Sequence, residues 1–404
     1  MKILIAITTG RPNFKDTLDL IAQNIKQFGH FATNFIGVAI NYDTDFLKFS
    51  EKDFIYNTGS SRLFKEKIYL GKKNINEYIN FMISRGIERG IADILSQSNG
   101  YSNKKNLILI EAMKRNYDIV LFWDDDEYPF VCLLSEDRKM LWIQSDIIGS
   151  HMFAYNNYSA DMAFGFYTGY VSPIPTNFNQ KLSTQTAKLL GDALSPASDV
   201  INPDTFTNSE LIFKGAKQDD FRIQEIKENN GGKWISGGNL SVSIEAIKKG
   251  VIPPYFTPPN TRADDTLLSM GLQNAKVFQV PAGIFHDAFS EYRSIINNEF
   301  PINLVKNREV STSQVERFLS VLRGWLGYAP IFLRVKNGSG YKKIINKMVK
   351  KLKNVDKLIE NDLPEIKSFY KGQKPSDILM DFDSLTENQY MLMQMCYKEW
   401  KKLL

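Results

Sequence analysis

Cysteine is nearly absent: 404 residues hold two, Cys132 and Cys396, at no metal-ligand spacing. That excludes a disulfide framework and a zinc finger, and it suits a reducing cytosol. Histidine occurs three times, as His30, His151 and His286. Long apolar runs are missing too. The run Ile3 to Ile7 is too short for the core of a signal peptide and meets polar Thr8-Thr9-Gly10-Arg11 at once. No stretch is apolar for long enough to span a bilayer, so the expected location is cytoplasmic. There is no internal repeat, no low-complexity tract and no recognisable nucleic-acid-binding module, which removes nucleic acid from the expected partners.

What is present fits an ordinary soluble globular protein, with 43% hydrophobic and 24% charged residues and room for one large domain plus a smaller one. The net charge of +5 is unevenly placed. From Pro301 onward 19 Lys/Arg face 11 Asp/Glu, which leaves the first 300 residues slightly acidic. Arg334 to Lys357 carries nine of those basic residues and one acid. With Ile344, Ile345, Met348 and Leu352 opposite the lysines, it has the composition of a helix lying on anionic lipid at the inner face of a membrane; a solvated helix face is the alternative.

Lys2 to Thr8 reads as a short buried strand closed by the turn Thr9-Gly-Arg-Pro12, and a helix follows with apolar positions Leu18, Ile21 and Ile25. A second strand, Phe35 to Ile40, ends in Asn41-Tyr-Asp-Thr-Asp45. Strand, helix, strand with polar carboxyl ends predicts the first half of a parallel α/β sheet, whose ligands bind at those ends. Residues 46–100 read as mixed helix and loop, with Asn76 to Leu95 the clearest helix. Leu107 to Met113 predicts a helix running into the next strand, and Met140 to Gln144, Ala163 to Val171, Lys233 to Val242 and Val277 to Val280 predict strands. The Pro-, Asn- and Ser-rich stretch 173–232 reads as a surface excursion with one helix near Thr184 to Leu194. Beyond residue 300 the pattern is helical: Val315 to Leu326, Tyr341 to Leu358 and Leu385 to Leu404. The expected division is a catalytic part, 1–300, made of a nucleotide-binding half (1–130) and an acceptor half (131–300), followed by a basic helical region, 301–404.

The centre of this plan is Asp118-Ile-Val-Leu-Phe-Trp-Asp-Asp-Asp-Glu-Tyr-Pro129. An apolar strand, Ile119 to Trp123, stops in Asp124, Asp125, Asp126 and Glu127. Four consecutive acids at the mouth of a buried strand cannot be unpaired core, because each such charge costs more than packing returns. A solvated turn or a helix cap is one reading; a site for Mg²⁺ or Mn²⁺, hard cations that take oxygen ligands and keep positions open for phosphate, is the other.

Taken together, the motifs resemble the GT-A nucleotide-sugar transferases, in particular inverting glycosyltransferase family 2 and its relatives. Thr8-Thr9-Gly10-Arg11 is similar to the family's first nucleotide-binding edge, and Lys105-Asn106 to its Arg-Asn helix. Phe122-Trp-Asp-Asp-Asp-Glu127 matches the Asp-x-Asp motif through Asp124 and Asp126, with Asp125 between them. Ser236-Gly-Gly-Asn239 resembles the strand beneath the donor sugar, Ala263-Asp-Asp265 the motif whose last acid is the base, and Phe285-His286 the place of a third metal ligand. The likeness covers roughly residues 1–295. It departs in three places. The stretch holding Asp43 lacks the usual Asp-x-Ser pattern, about sixty extra residues precede Lys105, and 173–232 matches nothing in the family.

The resemblance implies a GT-A α/β fold, a mixed sheet flanked by helices, with a C-terminal helical extension. It implies a nucleoside-diphosphate sugar as donor, UDP foremost, and a glycan or glycolipid acceptor in cell-surface polysaccharide synthesis. Donor contacts would come from Thr8, Thr9, Gly10, Arg11, Asp43, Asn106, Asp124, Asp125, Gly237 and Gly238. Mn²⁺ or Mg²⁺ would be held by Asp124, Asp126 and His286, with Asp265 as base and Asp264 orienting the acceptor. The chemistry asks for the same parts, since a leaving diphosphate needs neutralising and an attacking hydroxyl needs a carboxylate base. Each residue also has a plainer role open to it: helix capping for Asp264 and Asp265, a structural contact for His286 as for His30 and His151, core packing for Trp234. A sugar-nucleotide nucleotidyltransferase and a non-catalytic glycan-binding protein are the competing functions. The first would want a Gly-rich phosphate loop after the opening strand, and Thr8 to Pro12 is too short for one.

Overall fold

The computed structural model describes the whole chain except residues 98–100, 199–200, 260, 263 and 306–308. Seven strands carry the central sheet: β1 (Lys2–Thr9), β2 (Phe35–Tyr42), β3 (Glu66–Leu70), β4 (Ile119–Trp123), β5 (Met162–Tyr170), β6 (Leu240–Ser243) and β7 (Val277–His286). They lie in the order β3-β2-β1-β4-β6-β5-β7, and the short strand Gln224–Glu225 extends the β7 edge. β1 to β4 run parallel, with Ile7 beside Trp123 and Thr9 beside Tyr42. β6 is antiparallel to both neighbours, and β7 is parallel to β5.

Near-continuous apolar sequence makes these strands buried on both faces, as parallel strands between helices must be. The two-residue period sorts their side chains. Ile3, Ile5, Ile7, Leu121 and Trp123 join one core. Leu4, Ala6, Val120 and Phe122 join the other. The first core is covered by α1 (Phe14–Gln27), the second by α2 (Ile75–Ser84), α3 (Arg89–Gln97) and α4 (Tyr101–Lys114). The mixed α/β sheet flanked by helices, with a helical C-terminal extension, is the architecture that the motifs imply.

Several elements differ from expectation. Residues 46–100 supply β3 and two helices, α2 and α3, rather than one continuous helix; Gly86, at φ +85°, turns the chain between them. Helix α5 (Ile147–Tyr158) follows Asp146, whose carboxylate accepts from Gly149 N at 2.8 Å as its N-cap, and it gave no periodic signal. Lys233 to Asn239 is irregular, bending at 237–239 with Asn239 at φ +44°, and is not part of a strand; only Leu240–Ser243 pairs.

The stretch 173–232 is a surface excursion only in its last part, where residues 217–230 are largely exposed; up to Phe213 it enters the core. Ile174, Phe178, Leu182 and Phe206, with Leu190 of α6 (Thr184–Leu194), are buried in one apolar cluster. They share it with Phe318, Leu322 and Leu326 of α7 (Thr312–Asn337) and with Met348 and Leu352 of α8 (Tyr341–Asp362). A last helix, α9 (Pro375–Trp400), packs along α7, and its end residues Cys396 and Trp400 enter the core beneath β1 and β4. The change near residue 300 is therefore one of composition, not a break in packing. It also spends the apolar stripe of the basic helix: Ile345, Met348 and Leu352 are buried in protein, and Lys343, Lys347, Lys350, Lys353 and Lys357 face outward. No helix among the described residues is long and apolar enough to cross a membrane.

Candidate functional site

Parallel strands deliver their carboxyl ends to one edge, and β6, being antiparallel, begins there. Arg11, the acid triplet, His286 and the glycines ahead of β6 consequently meet although they are scattered from residue 11 to 286.

After Trp123 the chain turns, and three consecutive carboxylates fan out. Asp125 turns toward the end of β1, where Oδ2 accepts from Thr9 Oγ1 at 2.5 Å and Oδ1 from Arg11 Nη1 at 3.0 Å. Asp126 turns toward β7. Its Oδ2 accepts from Arg317 Nη2 at 2.8 Å and from Arg11 Nη1 at 3.4 Å, and its Oδ1 lies 3.8 Å from His286 Nε2. Asp124 is under the field of Lys105, and then of Asp126, Asp264 and Asp265. Burial first, then neighbouring carboxylates, pushes Asp124 and Asp125 up to about 6. Burial acts on Asp126 in the same sense, but His286, Arg317 and Arg11 outweigh it and hold that carboxyl down at about 2.

His286 Nδ1 is 2.6 Å from the Tyr170 carbonyl oxygen, which can only accept; Nδ1 therefore donates to it, and Nε2 is the ring nitrogen that faces Asp126. One imidazole nitrogen and one ionised carboxylate oxygen suit a divalent cation whose other positions go to water and phosphate. The expected three-residue set is not assembled, however. Among the described residues no three His, Cys, Asp or Glu side chains are close enough to hold a metal.

The second half of the site is built on Gly237-Gly238. A Cβ on Gly238 would lie 2.3 Å from a Glu127 carboxylate oxygen, a clash that the buried acid would have to relieve, and one on Gly237 3.3 Å from Asp265 Oδ2, a tighter fit that asks Asp265 to give by a few tenths of an ångström. Glu127 itself is fully buried and accepts from Asp124 N at 3.1 Å. Burial, then the charges of Asp124 and Asp126, raise its carboxyl well above the usual value. Tyr167 Oη accepts from Gly238 N at 3.0 Å and donates to Gly238 O at 3.1 Å, fixing the peptide planes.

Asp264 and Asp265 open the short helix Asp264–Ser269; Ala263 lies outside the described residues. Asp265 Oδ1 accepts from Thr266 N at 2.8 Å, and its Oδ2 lies on the Gly237 side. Burial and Asp264 push its carboxyl up to about 6. Asp264 Oδ2 is held 2.8 Å from Lys105 Nζ.

Other expected contacts are placed differently. Asn106 does not face the site: it is fully buried, accepts from Tyr255 N at 2.9 Å and donates to Tyr255 O at 2.9 Å, clamping the Pro-rich stretch over α4. Thr8 and Thr9 are buried, and Thr9 acts through Asp125 rather than openly. Phe46 lies over Gly10, its ring 2.6 Å from where a Cβ would stand. Asp43 is paired with Lys104 at 2.7 Å, a contact that outweighs burial and lowers its carboxyl. His151 is a buried link to Ser241 and Asn239, pushed down to about 4 by desolvation, and His30 pairs with Asp146; both are structural. Trp234 donates to Asn229 O and packs toward Phe332.

Arg317, Glu127 and Lys105 were not among the expected site residues. Nothing in the spacing of Arg317 ties it to a turn 191 residues away. Glu127 was visible as the fourth acid of its run, and Lys105 as half of the Lys105-Asn106 pair.

The mixed sheet thus brings the acidic turn, the glycine strip and the acid pair to one edge. No known family's sequence profile matches the chain, and no curated protein does. Among solved structures, S. aureus TarS 1–349 shares 14% identity over 96% of this chain and 91% of that one, with a TM-score of 0.38. The same protein in complex with UDP-GlcNAc gives 12%, the same coverage and 0.39. Mannosyl-3-phosphoglycerate synthase from Rubrobacter xylanophilus gives 14% over 80% and 73%, with 0.34. Likeness this faint leaves the functional reading to the site's own residues.

Proposed function

We propose that the chain is a divalent-metal-dependent, inverting glycosyltransferase. It moves a sugar from a nucleoside diphosphate, UDP foremost, to a hydroxyl of a glycan or lipid-linked acceptor in cell-surface polysaccharide synthesis. The observation that carries this reading is the order of charges along one glycine strip. Beside Gly238 stand Glu127 and the acidic turn with its two guanidiniums; beside Gly237 stands Asp265, a carboxyl poised at about 6. That is a cationic and metal-binding end for a leaving diphosphate and a basic end for an incoming hydroxyl.

Asp126 and His286 would hold Mn²⁺ or Mg²⁺, which supplies Lewis-acid neutralisation of the diphosphate. Arg11 and Arg317 add planar, forked donors that match phosphate oxygens. Gly237 and Gly238 let the donor sugar approach the backbone closely. Asp265, mostly ionised at pH 7, takes the proton of the acceptor hydroxyl as that oxygen bonds to the anomeric carbon. The bond from this carbon to the diphosphate oxygen breaks, and its electron pair stays with the diphosphate. Attack from the face opposite the leaving group inverts the centre.

Attachment to an anionic membrane surface, if this chain works at one, rests on the lysine face of α8 alone, since its apolar positions are taken. The test of the reaction is calorimetry with UDP, GDP and CDP, each with and without Mn²⁺. We expect metal-dependent binding of one of them, UDP foremost. Absence of binding by all three would overturn the proposal.

A further inference from the structure

Lys105 is 3% exposed, and a lysine so buried must have its charge answered. Its ammonium sits 2.8 Å from Asp264 Oδ2, donates to the Gly237 carbonyl at 3.0 Å and lies over the rings of Tyr255 and Phe122, 5.0 and 5.7 Å from their centroids. Three parts of the chain meet at this one nitrogen: helix α4, the glycine strip and the acid pair. Asp264 Oδ2 is fully buried and has no hydrogen-bond partner apart from this ion pair.

Two adjacent carboxylates in a dry site do not ionise alike; left alone, they share one proton, and neither is a clean base. We propose that Lys105 is a positioning residue: held against Asp264 and the Gly237 carbonyl, its ammonium neutralises one member of the pair and leaves Asp265 as the single proton acceptor. This rests on the glycosyltransferase reading and deepens it by dividing the labour between the two acids. Asp264 is spent on Lys105. Asp265 keeps Oδ2 for the acceptor, beside Gly237, while Oδ1 is tied to Thr266 N.

The charged and titratable groups that bear on Asp265 are few. Asp264 comes from its own helix, Lys105 from α4, Asp124 from the end of β4 and Tyr255 from the Pro-rich stretch. Burial and Asp264 raise the Asp265 carboxyl; Lys105 lowers it. Removing the lysine charge must therefore move Asp265 up, and removing Asp264 must move it down.

Lys105→Met keeps the apolar stem and deletes the charge. Its acidic limb in the pH profile of kcat/KM is expected to move up by one pH unit or more, so that transfer at pH 6.5 falls at least tenfold and recovers as the pH is raised. Lys105→Arg should restore the limb, and Asp264→Asn should shift it below the wild-type position. A limb that stays in place in both Lys105→Met and Asp264→Asn would overturn the proposal, as would a loss in Lys105→Met that is equal at every pH. Carbon-13 titration of the aspartate carboxyls, with the Asp265 signal assigned by its absence in Asp265→Asn, reads the same shifts without any substrate. It therefore separates failure of this inference from failure of the glycosyltransferase reading. If Lys105→Met does not fold, Lys105→Arg and Asp264→Asn still decide the matter: an unmoved Asp265 titration in Asp264→Asn refutes it.

Discussion

Arg317 Nη2 donates to Asp126 Oδ2 at 2.8 Å across 191 residues of sequence. The helical extension thus reaches into the acidic turn, and Arg11 meets the same oxygen from the other end of the chain. Two guanidiniums and an imidazole around one carboxylate explain why Asp126, alone of the triplet, is held low while its neighbours are pushed up. They also mean that an arriving diphosphate finds its counter-charges already in place.

Arg317→Gln should therefore weaken nucleotide-diphosphate binding without abolishing it, since Arg11 remains. A hydrogen bond to a charged group contributes about 1.5–3 kcal/mol, which corresponds to roughly a ten- to hundredfold rise in Kd. Calorimetry against UDP and against uridine distinguishes the cause: the uridine affinity should not change. An equal loss for both ligands would mean that Arg317 supports the fold rather than the diphosphate.

Asp126→Ala should remove metal-dependent UDP binding and turnover, because the ion loses its only ionised protein ligand. Asp125→Asn is the control. Asp125 is occupied by Thr9 and Arg11, so its loss should weaken the β1 turn while leaving a measurable response to Mn²⁺. A full Mn²⁺ response in Asp126→Ala would remove the metal assignment.

Much of this was legible in the sequence, for a physical reason. Buried parallel strands must be apolar along their whole length, so Lys2–Thr9, Phe35–Tyr42 and Ile119–Trp123 announce themselves, and their carboxyl ends announce the site. The acids Asp124 to Asp126 stood out in the sequence as charge at the end of a buried strand, and Gly237, Gly238, Asp265 and His286 through the family resemblance; the sheet brings them to one edge, and their roles there are the proposal's. What a sequence does not carry is direction. Asp124 was grouped with Asp126 as a metal ligand, yet among the described residues no three such side chains come together, and it is Asp126 that Arg11 and Arg317 hold. Asn106 beside Lys105 looked like a donor contact, whereas burial gives it to the Tyr255 backbone and turns Lys105 to the acid pair. Long-range partnerships such as Arg317 with Asp126, or Phe178 with Phe318, leave no local periodicity at all.

The lysine face of α8 can be tested only with the helix in place. Deleting 301–404 would strip Phe318, Leu322, Met348 and Leu352 from the cluster they share with Ile174, Phe178 and Phe206, and the remainder should aggregate. Changing Lys343, Lys347 and Lys350 together to Glu keeps those contacts. Cosedimentation with phosphatidylserine vesicles at low salt should show binding by the native protein, lost in the triple variant and lost in both at high salt. No binding by the native protein at low salt would end the membrane idea.

Asp265→Asn bears most directly on mechanism, because it preserves the side chain's size and its bond from Thr266 N while removing the base. Donor and metal binding should survive, since Asp126, His286, Arg11 and Arg317 are untouched. Turnover should fall by about two to four orders of magnitude, the usual worth of a positioned general base. The native enzyme should lose kcat/KM as the pH drops through about 6, where the Asp265 carboxylate gains its proton, and the residual activity of Asp265→Asn should lack that limb. Asp264→Asn should cost less, because its carboxylate answers Lys105 rather than the acceptor. The opposite order of the two phenotypes would reverse their roles. Near-normal turnover in both would reduce the pair to a helix cap, and a product of retained anomeric configuration would refute the single displacement itself.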